Sequence, residues 1–200
     1  GFGAKAGIGA RQSCNLFEVS DRSGCEEPDM AQDLTIRVNE EDWQISASPD
    51  TPLLYVLMNE LELTGPRFGC GLAQCGSCSI LVDGVEIRSC VTPVSQVVGK
   101  AITTLEGLPN WYAKENGQAG NGEGVSEALH PLQRAFIDVQ AVQCGACYNG
   151  MTIKGAELLS QNPKPSEVEI RQAMNGHLCR CGTYAQIHGA IHRAAGISET

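Results

Sequence analysis

Three cysteines crowded into the stretch Cys70–Cys78 constrain this chain more than any other feature. Cys70, Cys75 and Cys78 follow a C-x4-C-x2-C spacing, and Cys90 comes after a short apolar run. That is the plant-type arrangement which holds a 2Fe–2S cluster. Thiolates from one tight turn reach two irons only if the backbone wraps closely around them. Gly69, Gly71 and Gly76 are expected to supply the positive φ angles and the close approach this wrapping needs. Free amides of the loop can then point at the sulfurs and stabilise negative charge. Four cysteines also suit tetrahedral zinc, although zinc sites favour paired C-x2-C units.

A second cysteine set lies in the C-terminal half, where the apolar period is helical. Cys144-Gly145-Ala146-Cys147 is expected at the start of one helix and Cys179-Arg180-Cys181 at the end of the next. If those helices run antiparallel, the start of one meets the finish of the other and four thiolates converge. A helix N-terminus also offers free amides and a favourable dipole to anionic sulfur. Tyr148 stands where a c-type haem motif needs histidine. A redox dithiol would leave Cys179 and Cys181 without a purpose.

The segments between these sets read as two unlike halves. Leu34, Ile36 and Val38 alternate, a turn follows, and Trp43 and Ile45 resume the alternation, which predicts a hairpin. Pro52 opens a helix, capped by Asp50 or Thr51, with Leu53, Leu54, Leu57, Met58 and Leu61 as its buried stripe. Ile80–Val82 and Val85–Ile87 flank Asp83-Gly84, a strong turn signal for a second hairpin that returns Cys90 to the loop. Downstream, helices are expected from Pro131, from about Gly145 to Ser160, from the capping box Ser166–Glu169 to near Cys179, and from beyond Gly182. The organisation predicted is an N-terminal arm (1–33), an α+β domain (34–108), a linker (109–126) and a helical domain (127–200). The arm is rich in glycine, serine and charge and has no core of its own. We expect it to lie on a partner subunit, with Cys14 and Cys25 as incidental thiols, or at most a disulfide, rather than a third metal site.

The formal charge of −9 argues against nucleic acid or an anionic membrane as the main partner. No apolar run approaches the roughly 20 residues of a membrane span. No charged start followed by an apolar run marks a secretory signal. A cytoplasmic setting is expected, with a periplasmic or membrane-associated one through partner subunits as the alternative. Ten cysteines could signal a disulfide framework, but their clustering speaks for metal.

Gly69–Cys78, Gln143–Cys147 and Cys179–Tyr184 together closely resemble the iron–sulfur subunit of the molybdenum hydroxylases, the xanthine oxidase family. The resemblance runs in motif order from residue 34 to 200. It implies an α+β chain in which a ferredoxin-like β-grasp domain precedes a four-helix domain, each with one 2Fe–2S cluster. Cys70, Cys75, Cys78 and Cys90 would hold the distal cluster; Cys144, Cys147, Cys179 and Cys181 would hold the proximal one. A separate large subunit would carry the molybdopterin, with Gln143 beside the pterin and Cys181 contacting it. The implied function is electron transfer from that molybdenum centre, through both clusters, to a flavin- or cytochrome-bearing acceptor. Its substrate would be an aldehyde or an N-heteroaromatic ring. The arm and the glycine-rich linker exceed the family pattern, and the flavin, if used, is expected on another subunit.

No Gly-rich phosphate loop and no nucleophile–base pair emerges, so substrate chemistry is expected outside this chain. His188 and His192, at i and i+4, lack a carboxylate or cysteine at suitable spacing and read as helix surface. Two rival readings remain open from the sequence: a zinc-stabilised adaptor without redox function, and a free-standing two-cluster carrier.

Overall fold

The computed structural model describes residues 32–116 and 129–196. Most of the expected arm (1–33), with Cys14 and Cys25, lies outside the described residues, as does the glycine-rich part of the expected linker. Alternating residues form β1 (Gln32–Val38) and β2 (Glu41–Ala47), antiparallel as expected. Helix α1 (Leu53–Asn59) follows, then β3 (Ser79–Val82) and β4 (Val85–Arg88), joined by the Asp83-Gly84 turn. A three-residue strand, β5 (Ala101–Thr103), was too short to show a period in the sequence. It completes the sheet by pairing parallel to β1 and antiparallel to β3, giving the order β2-β1-β5-β3-β4. That is a β-grasp arrangement, with α1 packed over the sheet.

Helix α1 buries Leu53, Val56 and Leu57 against Ile36, Ile80 and Ile102 of the sheet, and Leu54 is buried as well. Met58, expected in that stripe, sits on the outer face near Tyr55. The expected side-chain cap is absent. The first helical amides instead donate to backbone, Leu53 N–H to the Thr92 carbonyl at 2.8 Å and Leu54 N–H to that of Ser89 at 3.1 Å. Orphan helix donors are thereby satisfied by the chain on either side of Cys90.

The interval read as linker departs from expectation, because its first part is helix α2 (Leu108–Glu115). Pro109 sits near the start of that helix, where its missing N–H costs nothing. Four further helices follow: α3 (Pro131–Asp138), α4 (Tyr148–Gln161), α5 (Glu167–Met174) and α6 (Tyr184–Ala194). The Ser166–Glu169 capping box is present as read. Leu132, Phe136, Met151, Ile170, Ile187 and Ile191 make the core of this half.

His130 caps α3 with an imidazole: Nδ1 accepts from Leu132 N–H at 3.0 Å, while Gln133 reaches back to the His130 amide. Trp111 and Tyr112 of α2 pack their rings on it, at centroid distances of 6.4 and 4.8 Å. Burial lowers the His130 pKa from 6.5 to about 4. Between those values the unfolded chain binds the extra proton and the folded chain does not, so stability falls as pH drops from about 6.5 to 4. The loss should approach ~3 kcal/mol. A His130→Asn variant keeps a capping acceptor and should flatten that slope in pH-dependent melting; an unchanged slope would refute the assignment.

Outside the cysteine sets, His188 and His192 meet a carboxylate that no local spacing reveals. Glu167 of α5 lies 3.3 Å from His188 Nδ1 and 2.8 Å from His192 Nε2. It also accepts from Arg171 at 2.6 Å. His192, then Arg171, hold the Glu167 carboxyl down at about 2. We read this as a polar clamp between α5 and α6.

A third apolar cluster spans the seam between the halves: Leu81 of β3, Leu108 of α2, and Ile153 and Ala156 of α4. Burying each large residue contributes about 1.5–3 kcal/mol, against roughly 1 kcal/mol for a hydrogen bond. Adhesion across the seam is therefore mainly apolar, and its polar contacts fix the register. Asn149 Nδ2 donates to the Ser77 and Ser79 carbonyls at 2.9 and 2.8 Å. Buried Glu157 of α4 accepts from the Glu86 amide at 2.9 Å, closing part of the β4 edge.

Candidate metal centres

The β3–β4 hairpin explains how distant cysteines meet. Ser79 faces Arg88 in its register, and the Cys78 carbonyl accepts from the amide and hydroxyl of Ser89 at 3.4 and 2.7 Å. Cys78 and Cys90 therefore leave the same end of the hairpin, beside the 70–75 loop. Within that loop the Leu72, Gln74 and Cys75 amides point at Cys70 Sγ, at 3.3, 3.3 and 3.4 Å. The Cys70 amide points at Cys75 Sγ at 3.3 Å. Gly76 has the expected positive φ (80°). Gly69 does not; it is small for space, since a Cβ there would lie 2.6 Å from Cys75 Sγ. The unexpected left-handed residue is Ala73, at φ 58°.

The second set converges differently from expectation. Helix α5 ends at Met174, five residues before Cys179, and Cys179–Cys181 leads into α6. Cys147 is the residue before α4, so both pairs sit at helix N-termini, where the dipole favours thiolate. Thr183, immediately before α6, places its hydroxyl 3.3 Å from Cys179 Sγ. The Tyr184 hydroxyl accepts from the Cys179 amide at 2.8 Å. Gln143, Cys144, Cys147, Cys179, Cys181 and Thr183 line one hollow. Cys144, Cys181 and Gln143 are exposed at its rim, whereas Cys179 is buried.

The thiols interact two by two: Cys70 with Cys75, Cys78 with Cys90, Cys144 with Cys181, and Cys147 with Cys179. The pairs then feel each other's charge, Cys78 that of Cys75 and Cys147 that of Cys144. All eight described cysteines are free thiols. The Leu72 amide leads in lowering Cys70 to about 7, and burial pushes Cys78 up to about 11. Burial likewise raises Cys147 to about 12. Burial opposes ionisation of Cys179, but hydrogen bonding from Thr183 and its neighbours brings it down to about 7. In each set, hydrogen bonds favour ionisation of one thiol while burial opposes it in another.

The two sets touch through backbone. Leu178 N–H, next to Cys179, donates to the carbonyl of Cys75 at 3.0 Å. Around this contact stand Arg88, Asn149 and Gly150, which the sequence does not mark, and His177, which its place before Cys179 marks only as a Rieske candidate that eight cysteines leave without a site. His177 is almost wholly buried, and burial, then the Arg88 charge, lowers its pKa to about 3. A spacing argument cannot find such residues, because their partners lie in the other half of the chain.

Comparison with known proteins agrees with the geometry. Residues 36–100 match the family model for a 2Fe-2S iron-sulfur cluster binding domain, and residues 120–192 match that for a [2Fe-2S] binding domain. The chain is 46% identical to a nicotinate dehydrogenase subunit from Pseudomonas putida over 166 residues, 83% of this chain and 96% of that protein. It is 47% identical to an isoquinoline 1-oxidoreductase subunit from Brevundimonas diminuta over 146 residues, 73% of this chain and 86% of that one. The crystal structure of quinoline 2-oxidoreductase from Pseudomonas putida 86 aligns at a TM-score of 0.71 and 36% identity, over 83% of this chain and 93% of that one. With 2Fe–2S models over both cysteine sets, the zinc reading falls away. Two paired-thiol sites on a β-grasp sheet and a four-helix unit, shared with these oxidoreductase subunits, make the chain a member of the molybdenum hydroxylase family, as one of its small iron–sulfur subunits.

Proposed function

We propose that Cys70, Cys75, Cys78 and Cys90 hold the distal 2Fe–2S cluster and Cys144, Cys147, Cys179 and Cys181 the proximal one. In this reading the chain carries electrons from a molybdopterin centre on a large partner subunit to a flavin- or cytochrome-bearing acceptor. Each cluster, when bound, supplies a one-electron redox centre. The chain's own residues set the surroundings: the Leu72, Gln74 and Cys75 amides stabilise charge on Cys70, and in the second set the Ala146 amide does so for Cys144 and Thr183 for Cys179. The observation that carries the proposal is the direct Leu178–Cys75 hydrogen bond between two four-cysteine sets. Exposure of Gln143, Cys144 and Cys181 supports the second set as the one facing the molybdopterin.

The substrate class proposed is an N-heteroaromatic ring, by likeness to the nicotinate, isoquinoline and quinoline oxidoreductase subunits. Substrate would be converted on the partner, not here. Among the described residues no helix is long and apolar enough to cross a membrane. We place the protein in the cytoplasm, where thiols stay reduced for metal loading.

Isolation of the native complex with metal analysis tests this. Iron should accompany the chain, and molybdenum a larger co-purifying subunit, with N-heteroaromatic substrate bleaching the visible iron–sulfur bands. Zinc in place of iron would overturn the reading; an iron-loaded chain purifying alone would favour a free carrier. Bleaching by aldehydes only would reassign the substrate.

A further inference from the structure

Arg88 ends β4, two residues before Cys90, and its guanidinium lies in the seam with its side chain 16% exposed. Nε donates to the carbonyl of Ala73, the left-handed non-glycine residue of the first cysteine loop, at 3.3 Å. Nη2 donates to the Gly176 carbonyl at 3.2 Å, in the turn leading to Cys179. Nη1 lies 2.6 Å from Ser79 Oγ and 3.1 Å from His177 Nε2. Glu86 completes the group as the ion-pair partner. One planar fork therefore grips both cysteine loops at once, on either side of the Cys75–Leu178 hydrogen bond. Lysine could supply the charge but not several fixed donor directions.

We propose that Arg88 is a positioning residue for transfer between the two cysteine sites, with two separable effects. Its fork holds the first loop against the turn before Cys179, which keeps the Cys75–Leu178 contact closed. Its positive charge offsets that of Glu86 beside the first loop, and without it the uncompensated carboxylate would disfavour the reduced and more negative form of the centre held there. The charge effect belongs to the guanidinium or any cation in its place, whereas the holding effect needs the fork. This proposal rests on the ligand assignment above.

The test uses the iron-loaded full chain, its complex where it co-purifies, with Arg88→Gln and Arg88→Lys variants. Redox titration followed by electron paramagnetic resonance reads each cluster separately, the distal one being the signal lost in Cys78→Ala. In Arg88→Gln the distal reduction equilibrium should move at least tenfold toward the oxidised form, a downward shift of ~59 mV for one electron. The proximal potential should hold, and the magnetic splitting between the two reduced clusters should weaken. Arg88→Lys should restore the potential but not the splitting. Unchanged potentials and splitting in Arg88→Gln at full iron content would overturn the proposal. So would loss of iron from both variants, which would make Arg88 an assembly residue only. A wild-type chain without iron–sulfur signals would instead sink the ligand assignment, an outcome visible before any variant is compared.

Discussion

Replacing Gly150 by alanine should destabilise the protein, although the same change in an isolated helix would stabilise it by about 1 kcal/mol. Gly150 lies in the first turn of α4, against the cysteine loop. A Cβ there would stand 2.1 Å from the Gly76 carbonyl oxygen and 2.6 Å from its carbon. Those atoms cannot swing aside, because the Gly76 carbonyl also accepts from the Ser79 amide at 3.0 Å and lies 2.7 Å from the Ser79 hydroxyl. Relief requires α4 to back away from the loop, stretching the Asn149 bonds to Ser77 and Ser79. Overpacking of this kind costs roughly 1–3 kcal/mol, and more against rigid backbone, so the clash outweighs propensity. A net loss near 2 kcal/mol lowers the melting temperature by about 4–8 °C in a chain of this size. Gly155→Ala is the comparison: its new methyl meets only side-chain atoms of Leu132 and Ile191, which can shift. Thermal melts in which Gly150→Ala matches the wild type, or loses less than Gly155→Ala, would contradict so close an approach of α4 to the loop.

Cys78→Ala and Cys144→Ala should each halve the iron, and each should remove a different electron paramagnetic resonance signal. The two sets share no thiol pair, so loss of one leaves the other's donors in place. The stability costs should differ. Cys78 is buried beside the sheet core and Cys144 is exposed on a loop. Removing the first therefore loses a packed side chain as well as the folding free energy of a bound metal centre. Iron quantified on purified, unfractionated protein decides the matter. A single substitution that abolished both signals would mean that the eight cysteines form one interdependent site.

These two experiments probe parts of the molecule that differ in how openly the sequence declares them. Both cysteine sets were visible, because metal chemistry dictates local spacing and Cys70–Cys78 satisfies it within one loop. The first hairpin was visible because Leu34–Val38 alternate, the second because Asp83-Gly84 is a strong turn signal between apolar runs, and α5 because Ser166 and Glu169 cap each other. Strand β5 was hidden by its length, and its place between β1 and β3 comes from non-local pairing alone. Helix α2 was hidden because glycines just beyond it gave the whole interval the composition of a linker. The placement of Cys179–Cys181 was misjudged by extending the α5 period too far, when the chain leaves the helix at Met174. Arg88 and Gly150 are silent in sequence, and His177 shows there only as a Rieske ligand that eight cysteines leave without a site; the roles of all three depend on a partner more than 70 positions away.

The hydrogen bond from the Glu86 amide to Glu157 bears on self-association. Strands β2 and β4 form the two borders of the sheet, and bare borders invite strands from other molecules. At β4 a buried carboxylate from α4 already occupies a donor that an intruding strand would need. At β2 the guard is charge, since Glu41 and Asp42 stand exposed where a newcomer would begin to pair. One border is partly closed by a buried carboxylate and the other carries exposed charge, so both are guarded against an added strand.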